Sequence, residues 1–202
     1  MQVEIPILVV AGLGNPGRKY AETWHNLGFV VLDYWAQKKN LTFKPGRGDY
    51  ASLEVRSPQG VITFIKPSSF MNLSGFPVSE LMRYRKLSPE NLLVVCDDIA
   101  LPWGTLRVRQ SGSDAGHNGL GSVIAQIGSE NIARLRIGIF QEGWPGDLKD
   151  YVLSKIPKSM HEDLQNIIEK SAAAIDAILY RGLTAAMNGF NRHYLNNNIN
   201  GE

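Results

Sequence analysis

The sequence predicts a single α/β domain with a twisted, mixed and mostly parallel sheet flanked by helices. Three observations predict it: short β-like runs alternate with helical stretches, two of the runs are paired as a hairpin, and no linker divides the 202 residues. A chain of this length suits one domain with a sizeable core. We therefore expect one domain over residues 1–194 and a polar, disordered tail over 195–202.

The first half of the chain begins with a buried strand and continues with a helix and a hairpin. Residues 7–11 are a short apolar run of the kind found in buried strands, and residues 24–39 are predicted to form a helix. Apolar and polar residues alternate over 51–55, and 61–65 is a second β-like run. The segment Ser57-Pro58-Gln59-Gly60 between these runs is rich in turn residues, so the pair indicates a hairpin.

The second half of the chain alternates helices with strands. Residues 77–86 predict a short helix with proline in its first turn, and 92–96 predict a buried strand that ends on Asp97-Asp98. Residues 105–109 predict a strand that runs into the glycine-rich segment 111–116. The remaining predicted elements are a helix at 119–127, a strand at 134–139, a long amphipathic helix at 159–181 and a last helix at 184–194.

Composition excludes several classes of protein. The hydrophobic content of 44% and the charged content of 20% are ordinary for a globular protein. No apolar run approaches the ~20 residues that span a bilayer, and the first residues lack the basic start of a signal peptide. The single cysteine, Cys96, excludes internal disulfides and fits a reducing compartment. We therefore expect a cytoplasmic protein without a membrane segment.

Positive charge is concentrated in two strand-like runs, although the formal net charge is only +2. Arg107 and Arg109 alternate in one run, and Arg134 and Arg136 alternate in the other. Two interpretations stay open. The arginines form either solvated strand faces or a local patch that binds phosphate.

The segment Gly12-Leu13-Gly14-Asn15-Pro16-Gly17 has the spacing of a dinucleotide-binding turn. Such a turn needs a helix that begins directly at the third glycine, whereas Asn15-Pro16-Gly17 is turn chemistry. The acid at the expected distance, Asp33, lies in a helical pattern rather than at a strand end. A nicotinamide or flavin enzyme is therefore disfavoured. The glycines are expected instead to turn the backbone sharply and present Asn15 to a substrate.

Polar residues that directly follow strands are the candidates for a site, because ligands of open α/β sheets bind beyond the carboxyl ends of the strands. The candidates are Asn15, His25-Asn26, Asn72, Asp97 and His117-Asn118. A neutral histidine can take a proton from water, and a carboxylate on its other nitrogen fixes its tautomer. Carboxamides can orient a carbonyl or stabilise an oxyanion. The set therefore predicts hydrolysis by an activated water.

Covalent and metal catalysis have less support. The sequence has no Gly-x-Ser-x-Gly nucleophile motif, and Cys96 lies in an apolar strand where an inert thiol is expected. The four histidines, at 25, 117, 161 and 193, lack metal-ligand spacing. We therefore expect no cofactor and no metal.

Four motifs carry a resemblance to a known family. They are Gly12–Gly17 with Tyr20 and Thr23-Trp24-His25-Asn26; Phe70-Met71-Asn72-Leu73-Ser74-Gly75; Asp97-Asp98 with Leu101-Pro102; and Gly116-His117-Asn118-Gly119-Leu120 followed by Arg134-Leu135-Arg136-Ile137-Gly138-Ile139. With these motifs in this order over residues 7–194, the chain resembles the bacterial-type peptidyl-tRNA hydrolases, in which the motifs follow one another in the same order. Agreement in order over most of the chain is more specific than any single motif.

The resemblance implies a cytoplasmic, monomeric esterase that cleaves the ester between a peptide and the 3′-terminal ribose of tRNA. It implies that His25 is the general base, that Asp97 orients it, and that Asn15 distinguishes N-blocked from free aminoacyl groups. Its partner would be peptidyl-tRNA, with no membrane and no stable protein partner. The residues implied to bind the tRNA end and the peptide are Tyr20, Phe70, Asn72 and Asn118.

A basic clamp is also implied, because Arg109 and Arg136 fall where the family has a site for the tRNA 5′-phosphate. Four positions depart from the family pattern: Trp24 replaces a common Arg, Ala100 a common Asp, Gly121 a frequent Lys, and Asp114 adds a negative charge. The two lost cations predict weaker attraction to tRNA. The alternative is a non-catalytic RNA-binding relative of the same fold. Retention of His25, Asp97, Asn15 and Asn72 favours the enzyme.

Overall fold

The computed structural model describes residues 6–143 and 146–195. Its centre is an eight-stranded sheet in the order β2-β3-β4-β1-β5-β7-β6-β8. The strands are β1 (Val9–Gly12), β2 (Lys44–Pro45), β3 (Tyr50–Ser57), β4 (Gly60–Pro67), β5 (Leu92–Pro102), β6 (Thr105–Arg109), β7 (Ala133–Phe140) and β8 (Arg192–His193). The predicted tail at 195–202 lies outside the described residues, apart from Leu195.

The sheet is mixed, with a parallel centre. β4, β1, β5 and β7 run parallel to their neighbours in this group, whereas β3 and β6 run antiparallel beside them. The short strands β2 and β8 pair antiparallel with β3 and β6 and so point the same way as the centre. Six of the eight strands therefore share one direction, and the predicted mixed, mostly parallel sheet is confirmed.

Six α-helices cover the two faces of the sheet in the described part of the chain. They are α1 (Leu27–Lys38), α2 (Gly75–Tyr84), α3 (Asn118–Ile127), α4 (Leu148–Leu153), α5 (His161–Arg181) and α6 (Leu183–Phe190). Residues of α1, α4, α5 and α6 belong to the core cluster on one face, and residues of α2 and α3 belong to the cluster on the other. Val10 of β1 lies in the first cluster and its neighbours Val9 and Ala11 in the second, as strand geometry requires.

Several predicted boundaries are wrong. The strand predicted at 92–96 continues through Asp97-Asp98 to Pro102, because β7 pairs with it beyond the apolar run. The helix predicted at 24–39 begins as a separate 3₁₀ turn, Trp24–Asn26, before α1. The last helix ends at Phe190, and the chain then forms β8 against β6. Helix α4 has no sequence prediction.

A close approach at Gly28 places the first helix against β5 and the residue that follows β1. A Cβ atom at this position would lie 2.4 Å from the carbonyl oxygen of Val95 and 2.5 Å from the backbone of Leu13. Only glycine allows this approach. The turn before α1 is thereby brought close to Asp97 of β5. Across residues 6–143 and 146–195, no helix is long and apolar enough to cross a membrane.

Candidate active site

A cavity of about 670 Å³ opens at the carboxyl ends of the central strands. Its size suits a small-molecule or chain-end ligand. Seven of the nine residues to which the resemblance assigns a role line it, namely Asn15, Tyr20, His25, Phe70, Asn72, Asp97 and Asn118, and so does the further candidate His117. Arg109 and Arg136 are not among the lining residues. The topology therefore joins motifs that are up to about a hundred residues apart in the chain.

His25 and Asp97 are in direct contact at the floor of the cavity. His25 lies in the 3₁₀ turn before α1, and its Nδ1 is 3.0 Å from both carboxylate oxygens of Asp97 in β5. The side chains are 8% and 1% exposed. An ionised carboxylate only accepts hydrogen bonds, so Nδ1 carries the proton and Nε2 has a free lone pair. His25 Nε2 has no hydrogen-bond partner among the described residues.

His117 is a second donor to the same carboxylate. Its Nδ1 caps α3 by accepting from the backbone N–H groups of Gly119 and Leu120, each at 3.1 Å. That nitrogen is therefore unprotonated, and the ring proton is on Nε2, which lies 3.1 Å from Asp97 Oδ1. Asp97 thus accepts from one nitrogen of each histidine. The His117 tautomer follows from the helix cap.

The pKa of the Asp97 carboxyl is held well below its usual range. Burial alone would raise it, but the electrostatic attraction of His117 and His25, together with their hydrogen bonds to the carboxylate, more than offsets the burial. Asp97 therefore stays ionised at every pH at which a histidine can act as a base. A permanently charged carboxylate behind His25 can stabilise an imidazolium at this position.

The side chain of Asn15 is held in place through its carbonyl oxygen, Oδ1. Its Oδ1 accepts from the backbone N–H of Met71 at 2.9 Å, and its own backbone exchanges two hydrogen bonds with the side chain of Asn26, at 2.8 and 3.0 Å. The side-chain NH₂ group of Asn15 has no such partner in the described residues. Because the oxygen is occupied by the chain itself, the amide presents a donor to the cavity.

The glycine-rich turn serves this arrangement rather than a dinucleotide. Gly17 has φ of 101°, a conformation that side chains rarely adopt, and the next element is the 3₁₀ turn Arg18–Tyr20 and not an α-helix. The helix N-terminus that a pyrophosphate requires is therefore missing at this loop. The geometry agrees with the expectation that the turn presents Asn15.

The other walls of the cavity come from four segments. Phe70 is the N-cap residue of the 3₁₀ turn Met71–Leu73 and is 54% exposed to solvent, and Asn72 lies within that turn. Tyr20 and Asn118 complete the polar rim. Helix α4 contributes a wall that the sequence reasoning missed, made by Leu148, Lys149, Val152 and Leu153. No motif marks these residues. Only the position of α4 against the 3₁₀ turn 24–26 brings them to the cavity.

Trp24, which replaces a common arginine, is buried rather than presented to tRNA. Its indole is 1% exposed, stacks on Tyr151 at 5.7 Å between ring centroids, and meets Trp103 edge-on at 5.1 Å. Tyr151 belongs to α4, so this cluster joins the His25 turn to the α4 wall. Position 24 is therefore a packing position in this chain.

The three ligand atoms offered by His25, Asp97 and His117 lie within 4.8 Å of one another, which is metal-ligand spacing. The helix cap disfavours a metal there. A neutral histidine that ligates through Nε2 carries its proton on Nδ1. In His117 that proton would face the N–H groups of Gly119 and Leu120. Hydrogen bonding to Asp97 explains the cluster without a metal.

The two interpretations of the alternating arginines both prove wrong for Arg134. Its side chain is buried and donates to four backbone carbonyls, those of Gly112, Ser113, Glu130 and Ile132. It therefore ties the glycine-rich loop before His117 to the turn before β7. Arg109 is exposed. Arg136 is partly exposed, with its Nε 2.6 Å from Asp98 Oδ2. Whether Arg109 and Arg136 bind phosphate stays a prediction.

Comparisons with known proteins agree with the geometry. The family model described as "Peptidyl-tRNA hydrolase" matches residues 9–198. The chain is 40% identical over 183 residues to the peptidyl-tRNA hydrolase of Chlorobaculum tepidum, which covers 91% of this chain and 97% of that protein. It is 39% identical over 188 residues to that of Thermodesulfovibrio yellowstonii, with 92% and 100% covered.

Solved structures agree as well. The crystal structure of peptidyl-tRNA hydrolase from Acinetobacter baumannii superimposes with a TM-score of 0.85 at 29% identity, covering 93% of this chain and 95% of that one. A structure of a peptidyl-tRNA hydrolase with N-propanol gives a TM-score of 0.86, also at 29% identity, with 94% and 97% covered. The likeness therefore extends over more than nine-tenths of the chain.

Proposed function

Since the chain belongs to the peptidyl-tRNA hydrolase family and is a hydrolase of peptidyl-tRNA, we propose that His25, held by Asp97, is the general base of the reaction. The observation that carries this proposal is the 3.0 Å contact of His25 Nδ1 with both Asp97 oxygens, which leaves Nε2 free at the cavity floor. The single experiment that tests it is peptide release from N-acetyl-aminoacyl-tRNA by variants at these two positions.

The proposed reaction is hydrolysis by one water. Nε2 of His25 takes a proton as the water oxygen attacks the ester carbonyl carbon, and Asp97 stabilises the imidazolium that results. The bond between the carbonyl carbon and the ribose oxygen then breaks. The imidazolium returns the proton to the leaving oxygen, which gives free tRNA and free peptide. No covalent intermediate with the enzyme and no metal is needed.

His117 is proposed to be a positioning residue for Asp97. A carboxylate with two oxygens can rotate, and rotation would change the direction of the His25 ring. The Nε2–H of His117 binds Oδ1 from the side of α3, and the helix cap in turn fixes the His117 ring. The carboxylate is thus bound by two neighbouring imidazoles whose centroids are 4.7 Å apart.

Asn15 is proposed to select N-blocked substrates. Its NH₂ group can donate to a carbonyl of a peptide, whereas the ammonium of a free aminoacyl group offers no acceptor and loses its water at a cost. Tyr20, Phe70, Asn72 and Asn118 are proposed to bind the tRNA end and the peptide, because they line the cavity around His25. An exposed aromatic ring such as Phe70 provides a stacking surface for a base or an apolar side chain.

Arg109 and Arg136 are proposed to bind the 5′-phosphate of the tRNA. They lie outside the cavity on neighbouring strands, β6 and β7, as a contact with a distant part of the substrate requires. The protein is further proposed to act in the cytoplasm as a monomer without a stable protein partner. The retained pair of His25 and Asp97 supports the enzyme over the RNA-binding alternative, since a pure binder has no use for a base.

A further inference from the structure

Asp98 is a buried acid that the proposed reaction does not use. It follows Asp97 in β5, its side chain is 4% exposed, and it lines the same cavity. Oδ1 accepts from the backbone N–H of Ala100 at 2.9 Å. Oδ2 has no aligned hydrogen bond within the described residues and lies 2.6 Å from Nε of Arg136. Arg136 therefore compensates the buried charge of this oxygen.

Arg136 belongs to an arginine face formed by Arg107, Arg109, Arg134 and Arg136. Across the antiparallel pair of β6 and β7, Arg107 is directly opposite Arg136 and Arg109 is directly opposite Arg134. Directly opposite residues point to the same side of a sheet, and like charges there repel. Without a counter-charge, the Arg136 guanidinium would be driven away from Arg107 and into water. Asp98 supplies that counter-charge.

Asp98 contacts the Nε atom of Arg136, and this choice of atom affects how Arg136 can bind a phosphate. A guanidinium offers five N–H groups in a planar fork, and two of its edges can bind an oxyanion with two parallel hydrogen bonds. The carboxylate lies against Nε. The terminal groups Nη1 and Nη2 have no hydrogen-bond or ion-pair partner in the part of the chain that the structure describes. The free end of the fork is therefore the end suited to a phosphate.

We propose that Asp98 is a positioning residue that holds Arg136 through Nε and so directs its two terminal amino groups to the 5′-phosphate of the tRNA. The inference rests on the proposed phosphate-binding role of Arg136. It assigns the two adjacent acids to two tasks, with Asp97 serving the base and Asp98 serving the phosphate site. Loss of Asp98 should therefore weaken the recognition of the phosphate. The general base, His25 held by Asp97, should stay in place for the chemical step.

The test compares two substrates for each variant: N-acetyl-aminoacyl-tRNA with its 5′-phosphate and the same tRNA with that phosphate removed. The ratio of kcat/KM for the two measures phosphate recognition. Any effect of a variant on Asp97 or on folding cancels in this ratio, because one preparation acts on both substrates. The variants are Asp98→Ala, Arg136→Met and the double variant. Asp33→Asn, which removes an exposed acid paired with Lys66, is the matched control.

We expect the wild type and the control to prefer the phosphorylated tRNA. Asp98→Ala and Arg136→Met should each lower that preference roughly three- to tenfold, the loss expected when one charged hydrogen-bonded contact is weakened, mainly through KM. The double variant should be no lower than Arg136→Met. Should Asp98→Ala not fold, Asp98→Asn provides the same test, because asparagine keeps the size of the side chain and lacks the charge that holds Arg136. It is expected to lower the preference as well.

The outcomes separate the two proposals. An unchanged preference in Arg136→Met means that Arg136 does not bind the phosphate, and the proposed phosphate site is then wrong. A lowered preference in Arg136→Met with an unchanged one in Asp98→Ala leaves the phosphate site in place and overturns the role of Asp98. A raised preference in Asp98→Ala also overturns it, since Asp98 would then compete with the phosphate instead of directing Arg136 to it.

Discussion

His25 and His117 are neighbours that bind the same carboxylate oxygen, with their ring centroids 4.7 Å apart. Nδ1 of His25 lies 3.0 Å and Nε2 of His117 3.1 Å from Oδ1 of Asp97. The two rings are inclined by 46°. His25 presents its second ring nitrogen, Nε2, to the cavity. His117 presents its second ring nitrogen, Nδ1, to the first turn of α3. The surroundings thus give two chemically equal side chains different tasks.

The double role of His117 can be separated by substitution. Asparagine is a good N-cap, but its shorter side chain cannot cap α3 and also reach Asp97. We expect His117→Asn to keep the free energy of unfolding near the wild-type value and to lower kcat roughly tenfold, because Asp97 loses one N–H donor. His117→Ala should lose the cap as well, at about 1 kcal/mol. Urea unfolding and steady-state kinetics measure both. Wild-type kcat in His117→Asn would contradict the positioning role.

Substrate selectivity should depend on one atom of Asn15. Asn15→Asp keeps the acceptor for the Met71 N–H and replaces only the NH₂ group that faces the cavity. The carboxylate attracts an ammonium and cannot donate to a carbonyl. One hydrogen bond lost at a buried polar site costs roughly 1–3 kcal/mol. We therefore expect the ratio of kcat/KM for blocked over free aminoacyl-tRNA to fall roughly 5- to 150-fold.

Both substrates for this measurement must be made from the same tRNA. Gln37→Glu, which adds a negative charge on an exposed position of α1 away from the cavity, is the control for long-range attraction of the ammonium. If both rates drop together in Asn15→Asp and their ratio stays constant, Asn15 only shapes the loop.

Sequence reasoning found the candidate site residues because they follow apolar runs that predict parallel strands, although the structure continues β5 through Asp97. Asn15, Asn72 and Asp97 could be placed near one another once the parallel centre was expected. Sequence reasoning could not find the hydrogen bond between His117 and Asp97. That contact joins residues 20 positions apart, through a ring whose tautomer is set by a helix cap. No local pattern contains this information.

The arginines illustrate a second limit. Alternation in β7 predicted exposed side chains at both Arg134 and Arg136. The structure buries Arg134, because its guanidinium donates to four backbone carbonyls of the neighbouring segments. The α4 wall was missed for a similar reason. Its position depends on the packing of Tyr151 on Trp24, which no spacing reveals.

Chelators should leave the reaction unchanged. The helix cap requires Nδ1 of His117 to be unprotonated, which disfavours a metal on its Nε2. We expect equal kcat with and without EDTA, measured on enzyme dialysed against the chelator. Magnesium must be matched between the two samples, because the tRNA itself binds it. Loss of activity that Zn²⁺ restores would show that the cluster of His25, Asp97 and His117 is a metal site.

Stability should fall in acid because of Asp97. Its pKa is lowered in the folded chain, so the unfolded chain binds a proton more readily once the pH drops below about 4. The stabilisation is present above that pH and is lost as the pH falls towards the folded-state pKa. Between pH 5 and pH 3, the wild type should lose about 1 kcal/mol more than Asp97→Asn. Urea unfolding at both pH values measures the difference, and equal losses would contradict the shift.

The proposal that His25 is the general base is tested most directly by the turnover of His25→Ala on N-acetyl-aminoacyl-tRNA, with the folded fraction checked by circular dichroism. His161→Ala, at an exposed position of α5 outside the cavity, is the matched control and should keep wild-type turnover. We expect His25→Ala to lower kcat roughly 10²- to 10⁴-fold, as loss of a general base does. Asp97→Asn should also lower it. Near-wild-type turnover by purified, folded His25→Ala would contradict the assignment of the base.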